Sequence, residues 1–223
     1  MFHYFLLGYI NVKVCYNAIK NLIKEVIFMN GQIFNPIPFE ITMDTLNDAL
    51  KLRNRKRLLN QAQILLDQTN AAAVPKALVI SGSVDEKTET RIVINGAAFT
   101  SPKLMANLDE GDALYAYIAT CGTEIDAYAA SLTDQMDLFM MDGIMNLLVG
   151  AGKAFVSKQV GSAASWPDIY DYVPGAGEAW PKEEQVKLFN LFGGYPAEIG
   201  VSMEDAAFVL PRRSTIGILS KTK

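Results

Sequence analysis

The chain has 223 residues, half of them hydrophobic and 20% charged, which is ordinary for a globular protein with a real buried core. Its net charge of −4 argues against a general nucleic-acid binder, which needs a basic footprint. Two distant cysteines and a single histidine, His3, argue against disulfide scaffolds, zinc ribbons and His-based catalytic pairs, and make a reducing cytoplasm the expected setting.

Residues 1–34 read as an N-terminal helical extension. Phe2 to Ile10 is apolar but lacks a basic leader and a cleavage pattern, and it is too short and interrupted to span a bilayer. From Val14 the apolar residues recur every four positions, as in an amphipathic helix, with Met29 as an alternative natural start. Asn35-Pro36-Ile37-Pro38 cannot be helical and opens the main domain, residues 35–223. A helix is expected from an Asp44 N-cap to about Asp67. Its first half carries Lys51, Arg53, Arg55, Lys56 and Arg57, which read as a solvated face, with phosphate contact as the alternative.

Ala77–Val84 and Thr90–Phe99 read as a hairpin around residues 85–88, and Leu114–Thr120 as a strand buried on both faces, ended by Cys121-Gly122. A short helix is expected near Glu124–Ala130 and a long central one from Asp134 to Val160. Its Gly143, Gly150 and Gly152 would admit close neighbours, and its methionines would fill core. Residues 161–166 read as a loop. Pro181 starts a helix that ends near Gly193-Gly194, Ser202-x-x-Asp205 caps a short helix stopped by Pro211, and Ser214–Leu219 is a closing strand. The order of elements fits an α+β fold, a mainly antiparallel twisted sheet packed with helices.

Three segments could carry chemistry. In Asp171-Tyr172-Val173-Pro174-Gly175-Ala176-Gly177-Glu178-Ala179-Trp180-Pro181, a glycine-rich loop runs into a helix start, where free amides could hold a carboxylate, a phosphate or an adenine edge. Tyr172 or Trp180 could stack on such a ligand; a tight connection is the other reading. Arg212 and Arg213 beside Ser214 and Thr215 could bind an anion or an acidic partner. Ala119 to Asp126 ends a strand in Thr-Cys-Gly before acidic residues, leaving Cys121 either a reactive thiol or an inert buried one. No nucleophile–base pair or metal cluster is visible, which argues against autonomous catalysis.

In their order these segments resemble the activation domain of cobalamin-dependent methionine synthase, in its short free-standing versions. The resemblance runs through Ala119–Glu124, Met140-Met141-Asp142-Gly143, Pro174–Pro181 with Glu184-Gln185, Ile199-Gly200-Val201, and Leu210–Gly217, covering roughly residues 40–220. It implies binding of S-adenosylmethionine, with Tyr172, Pro174, Gly175, Ala176, Gly177, Trp180, Arg212 and Ser214 as the contact set. It also implies docking on a cobalamin-binding methyltransferase subunit that carries the cobalamin, and a flavodoxin-like electron donor for reductive reactivation. No nucleic acid or membrane partner is implied.

The chain departs from the family pattern at Asp171, where an arginine usually pairs with the ligand carboxylate, and at Ala176, where a tyrosine is usual. No acidic residue falls between Asp142 and Asp168, where the family tends to carry a glutamate. An aspartate at 171 would repel a carboxylate. Two alternatives stand beside donor binding. One is an interaction module that keeps the fold without the ligand; the other is an unrelated anion- or nucleotide-binding enzyme using the Pro174–Gly177 loop and Arg212/Arg213.

Overall fold

A computed structural model describes residues 31–176, 180–204 and 208–222. The expected leader helix and Gly177 lie outside these residues. Gln32–Phe34 (β1), which the sequence places in the leader, pairs with the following strand.

The single helix expected over 44–67 is two: Met43–Leu50 (α1) and Lys56–Ala72 (α2). Lys51, Arg53 and Asn54 take positive φ at the break. The Asn47 and Asn54 side chains bond across it at 3.1 Å. Leu52 is thereby turned inward and buried, an outcome set by tertiary burial that helix propensity does not register.

Lys76–Lys87 (β2) is the longest strand. The run expected as one strand over 90–99 divides into Ile92–Ile94 (β3) and Ala97–Phe99 (β4), turned at Asn95-Gly96 with φ of 47° and 78°. That is the Asn-Gly signature of a two-residue hairpin. After Pro102–Asn107 (α3) comes Ala113–Thr120 (β5), buried at every position after the first. Leu114, Ala116 and Ile118 face one core; Tyr115, Tyr117 and Ala119 face the other.

Thr123–Ser131 (α4) and Gln135–Ala164 (α5) follow; α5 runs on through the expected loop at 161–164. Asp134 caps it by accepting from the Met136 and Asp137 amides. By length and composition α5 could cross a membrane, but here it lies across the sheet. Gly152 lets it approach β5, since an added Cβ would stand 3.3 Å from that of Ala119. Gly143 similarly meets Leu50, whereas Gly150 faces open space and does not serve the expected role. Met140, Met141 and Met145 are core, as expected; Met136 is exposed.

Ile169–Tyr172 (β6) is an edge strand that the sequence reading lacks. The helix expected after Pro181 is a 3-10 turn over Lys182–Glu184 and a short helix, Gln185–Asn190 (α6), followed by a further 3-10 turn at Tyr195–Ile199. The helix expected after Ser202 is instead a hairpin of Ser202–Glu204 (β7) and Phe208–Leu210 (β8). Val201 and Val209 are buried while Ser202, Glu204 and Phe208 are exposed, so a period of two prevails over the local capping pattern. Ser214–Lys221 (β9) closes the chain as expected.

The sheet order is β4-β3-β2-β5-β9-β6 with β1 also on β2, and every pair is antiparallel. Helix α5 covers one face; α6, the 3-10 turns and the β7–β8 hairpin cover the other. A separate helical core joins α1, α2, α4 and the first half of α5.

Candidate functional site

Two strand ends meet at one end of the sheet. Thr120 of β5 sits opposite Ser214 of β9, and their hydroxyl oxygens are 2.9 Å apart. The Cys121 amide donates to the Arg213 carbonyl at 3.0 Å. β6 runs toward this end beside β9 and stops with Tyr172 opposite Ile218. The segments at 119–124 and 211–214, far apart in sequence, are therefore neighbours, while Asp171 and Tyr172 pair farther along β9 with Leu219 and Ile218.

Beyond these strand ends a cleft of about 940 Å³ opens between α4 and α5 on one side and the β7–β8 hairpin on the other. Its lining combines Asp126, Asp142 and Glu204 with Arg212 and Arg213, over an apolar floor that includes Met141, Met145 and Val209. Arg213 Nε donates to Asp142 Oδ1 at 2.7 Å. Both groups of this pair are substantially solvated, so it orients Arg213 more than it stabilises the fold. Arg212 is exposed and makes no ion pair among the described residues. Charges of both signs beside an apolar wall suit a zwitterionic ligand with a substantial apolar body.

The glycine loop forms one shoulder of this region and is largely closed on itself. The Gly175 amide donates to the Trp180 carbonyl at 2.8 Å and the Ala176 amide to the Val173 carbonyl at 3.2 Å. These two amides are thus not the free donors the sequence suggested. Gly175 has φ +77°, and a Cβ there would stand 3.1 Å from Lys182 Cβ. Lys182 in turn places its ammonium 5.2 Å from the Phe208 ring centre, linking loop and cleft rim.

Tyr172, Pro174 and Trp180 are buried beneath the loop. Trp180 meets Phe99 edge-on at 5.8 Å and donates through Nε1 to Glu184 Oε2 at 3.0 Å. Tyr172 lies 4.6 Å from the Tyr170 ring. Neither buried ring offers the open stacking face expected from sequence; both shape the loop from below. Among the described members of the expected contact set, Gly175, Ala176 and Arg212 are surface groups, and Ser214 is half-buried against Thr120.

Asp171 has partners within the fold that its local sequence does not announce. Strand alternation turns it to the α5 face, where it accepts from Tyr117 Oη at 3.0 Å and pairs with Lys153 Nζ at 2.8 Å. It is not part of the cleft lining. Burial first, and the Asp171 charge second, push the Tyr117 hydroxyl far above the usual tyrosine range, so it stays a donor.

Cys121 is buried, and that burial, aided by the nearby Asp126 charge, pushes its thiol up to about 12. It is the inert cysteine of the two readings. Iodoacetamide at about pH 8 should leave the Cys121 peptide unmodified in the folded protein and alkylate it after urea unfolding, as read by mass spectrometry. Modification of Cys121 at equal rates in both states would contradict this burial. No group of three or more His, Cys, Asp or Glu side chains suited to a metal ion occurs among the described residues.

The sequence reading missed Phe208, Leu138 and Lys182. Phe208 was legible only through the period-two pattern of its hairpin.

This architecture, an antiparallel sheet with a long helix on one face and a C-terminal hairpin over one end, is an α+β fold of known type. It is the fold of the methionine synthase activation, or reactivation, domain, as the sequence resemblance led us to expect. A solved structure described as the MetH reactivation domain bound to AdoHcy matches it with a TM-score of 0.59. The two are 16% identical, and the match covers 86% of this chain and 78% of that one. No family model matches the chain, and no curated protein matches it in sequence.

Proposed function

We propose that this protein is an accessory domain for reductive reactivation of a cobalamin-dependent methionine synthase or a related corrinoid methyltransferase. In this reading it binds S-adenosylmethionine in the cleft and docks on the partner subunit that carries the cobalamin, with a flavodoxin-like protein as electron donor in the cytoplasm. The observation that carries the reading is the mixed-charge cleft on this fold, to which Met141, Asp142, Arg212 and Arg213 of the matching segments contribute. Arg212 takes the ligand carboxylate, Asp126 and Glu204 face its cationic groups, and the Met141–Met145 wall receives its apolar body. Gly175 and Ala176 form the rim, supported by Tyr172, Pro174 and Trp180, while Ser214 holds the strand ends in register. No histidine occurs among the described residues, and we assign the corrin to the partner. The domain's contribution is to position the methyl donor.

Titration calorimetry of the full chain with S-adenosylmethionine tests this. Binding should be detectable, and Arg212→Ala should weaken it about tenfold, the worth of one charge-assisted contact. No heat at millimolar ligand overturns donor binding.

The closed Gly175 and Ala176 amides favour a second reading, an interaction module that keeps the fold without the ligand. Co-purification with a cobalamin-binding subunit, together with a silent titration, would select it.

A further inference from the structure

A second surface lies on the opposite flank of α5 from the cleft and has a different character. Five of the chain's 20 lysines and arginines fall within residues 51–57, with no acid among them, although the whole chain is net −4. All five are exposed and none forms an ion pair among the described residues. The start of α2 adds to their field, because Arg55 makes no side-chain cap and the first turn holds no acid.

The loop that carries them is held in place. Leu52 is buried beneath it, and the Asn54 amide and side chain both bond to Asn47.

Arg55 and Arg57 line a groove of about 360 Å³ together with Met136 and Asp134. The acids here are committed: Asp134 caps α5, and Asp137 accepts from Gln61 at 2.6 Å. Around the groove, large apolar side chains face water. Met136 and Phe139, one turn apart on α5, are 42% and 55% exposed, and Ile64, two turns on from Arg57, is 63% exposed. Arginine, methionine and phenylalanine around an unpaired apolar centre make the composition of a protein interface core.

We infer that this face docks a partner protein presenting carboxylates around an apolar centre. Charge complementarity selects the partner. Five uncompensated cations seek acids, and the exposed Met136, Phe139 and Ile64 need an apolar counterpart that a phosphate backbone does not supply. The overall negative charge of the chain opposes an anionic bilayer or a duplex. The inference does not depend on ligand binding in the cleft.

A fluorescein-labelled peptide of alternating glutamate and leucine serves as the probe, read by anisotropy against the full chain. Polyglutamate, a 20-base-pair DNA duplex and phosphatidylserine–phosphatidylcholine vesicles are the comparators. The peptide should bind better than all three, and at least about tenfold more weakly to Arg55→Glu/Arg57→Glu at low salt. Phe139→Ser, an exposed change that spares the fold, should weaken it about threefold and leave polyglutamate unaffected. Thermal melts of both variants check folding, and Phe139→Ser decides the matter if the double variant fails to fold. Binding indifferent to Phe139→Ser, or stronger binding to duplex, vesicles or polyglutamate, overturns the inference.

Discussion

Gly122→Ala is expected to destabilise the chain by about 3–5 kcal/mol, and to lower the thermal midpoint by about 10 °C for a protein of this size. Gly122 has φ 92° and ψ 151°, a region that side chains with a Cβ scarcely enter. The site is also closed: an added Cβ would stand 2.3 Å from the Val74 carbonyl oxygen, which is backbone and cannot swing aside. The comparison is Gly96→Ala, also at positive φ (+78°) but with nothing within 4 Å of the new carbon. That variant should lose only the conformational term, about 1 kcal/mol. Urea midpoints of the two variants separate strain from collision, and equal losses would refute the steric argument.

Gly122 also bears on the cleft. It ends β5, its amide donates to Thr120 Oγ1 at 3.2 Å, and Thr120 contacts Ser214 just after the paired arginines. A chain that tolerates Gly122→Ala by shifting this corner should therefore bind a cleft ligand less well than Gly96→Ala does.

Residues whose local pattern agrees with their burial were legible in sequence. β5 is one: an unbroken apolar run in a strand covered on both faces. α5 is another, with its Asp134 cap and methionine-rich core side. Illegible elements are those where tertiary packing overrides a plausible local signal. Ser202-x-x-Asp205 looks like a helix cap, yet burial of Val201 and Val209 makes the segment a hairpin. The break between α1 and α2 depends on Leu52 finding the helical core, and β6 is a four-residue edge strand defined by its partner β9.

The candidate site divides in the same way. Paired arginines beside a strand start are a local pattern, and Arg212 and Arg213 do line the cleft. The facing of Asp171 was not legible because it depends on the register of β6 against β9. Trp180 was misjudged because its enclosure depends on Phe99 and Glu184, and Glu184 is itself held by Thr100, 84 residues away.

That enclosure makes Trp180→Ala the other large effect, an expected loss of about 3–5 kcal/mol from a fully buried aromatic side chain. Beyond volume, the indole supplies one of four donor groups around the buried Glu184 carboxylate. The Thr100 amide at 2.9 Å, the Thr100 hydroxyl at 2.8 Å and the Lys187 ammonium at 2.9 Å supply the rest. Trp180→Phe keeps most of the packing and gives up the charge-assisted bond, so it should cost about 1.5–3 kcal/mol. Burial alone would raise the Glu184 value, but its bonds to Lys187 and Thr100 outweigh burial and hold it below the ordinary 4.5. A carboxylate held low in the folded state stabilises the fold above its unfolded value. That contribution fades as the pH falls through the folded value. The thermal midpoint should therefore drop in acid below the ordinary glutamate range. Lys187→Met, which removes the strongest of the opposing bonds, should bring the folded value back toward the unfolded one and so shrink that drop. If the acid profile does not change in Lys187→Met, the charge on Glu184 is not what ties Trp180 and the glycine loop to the sheet.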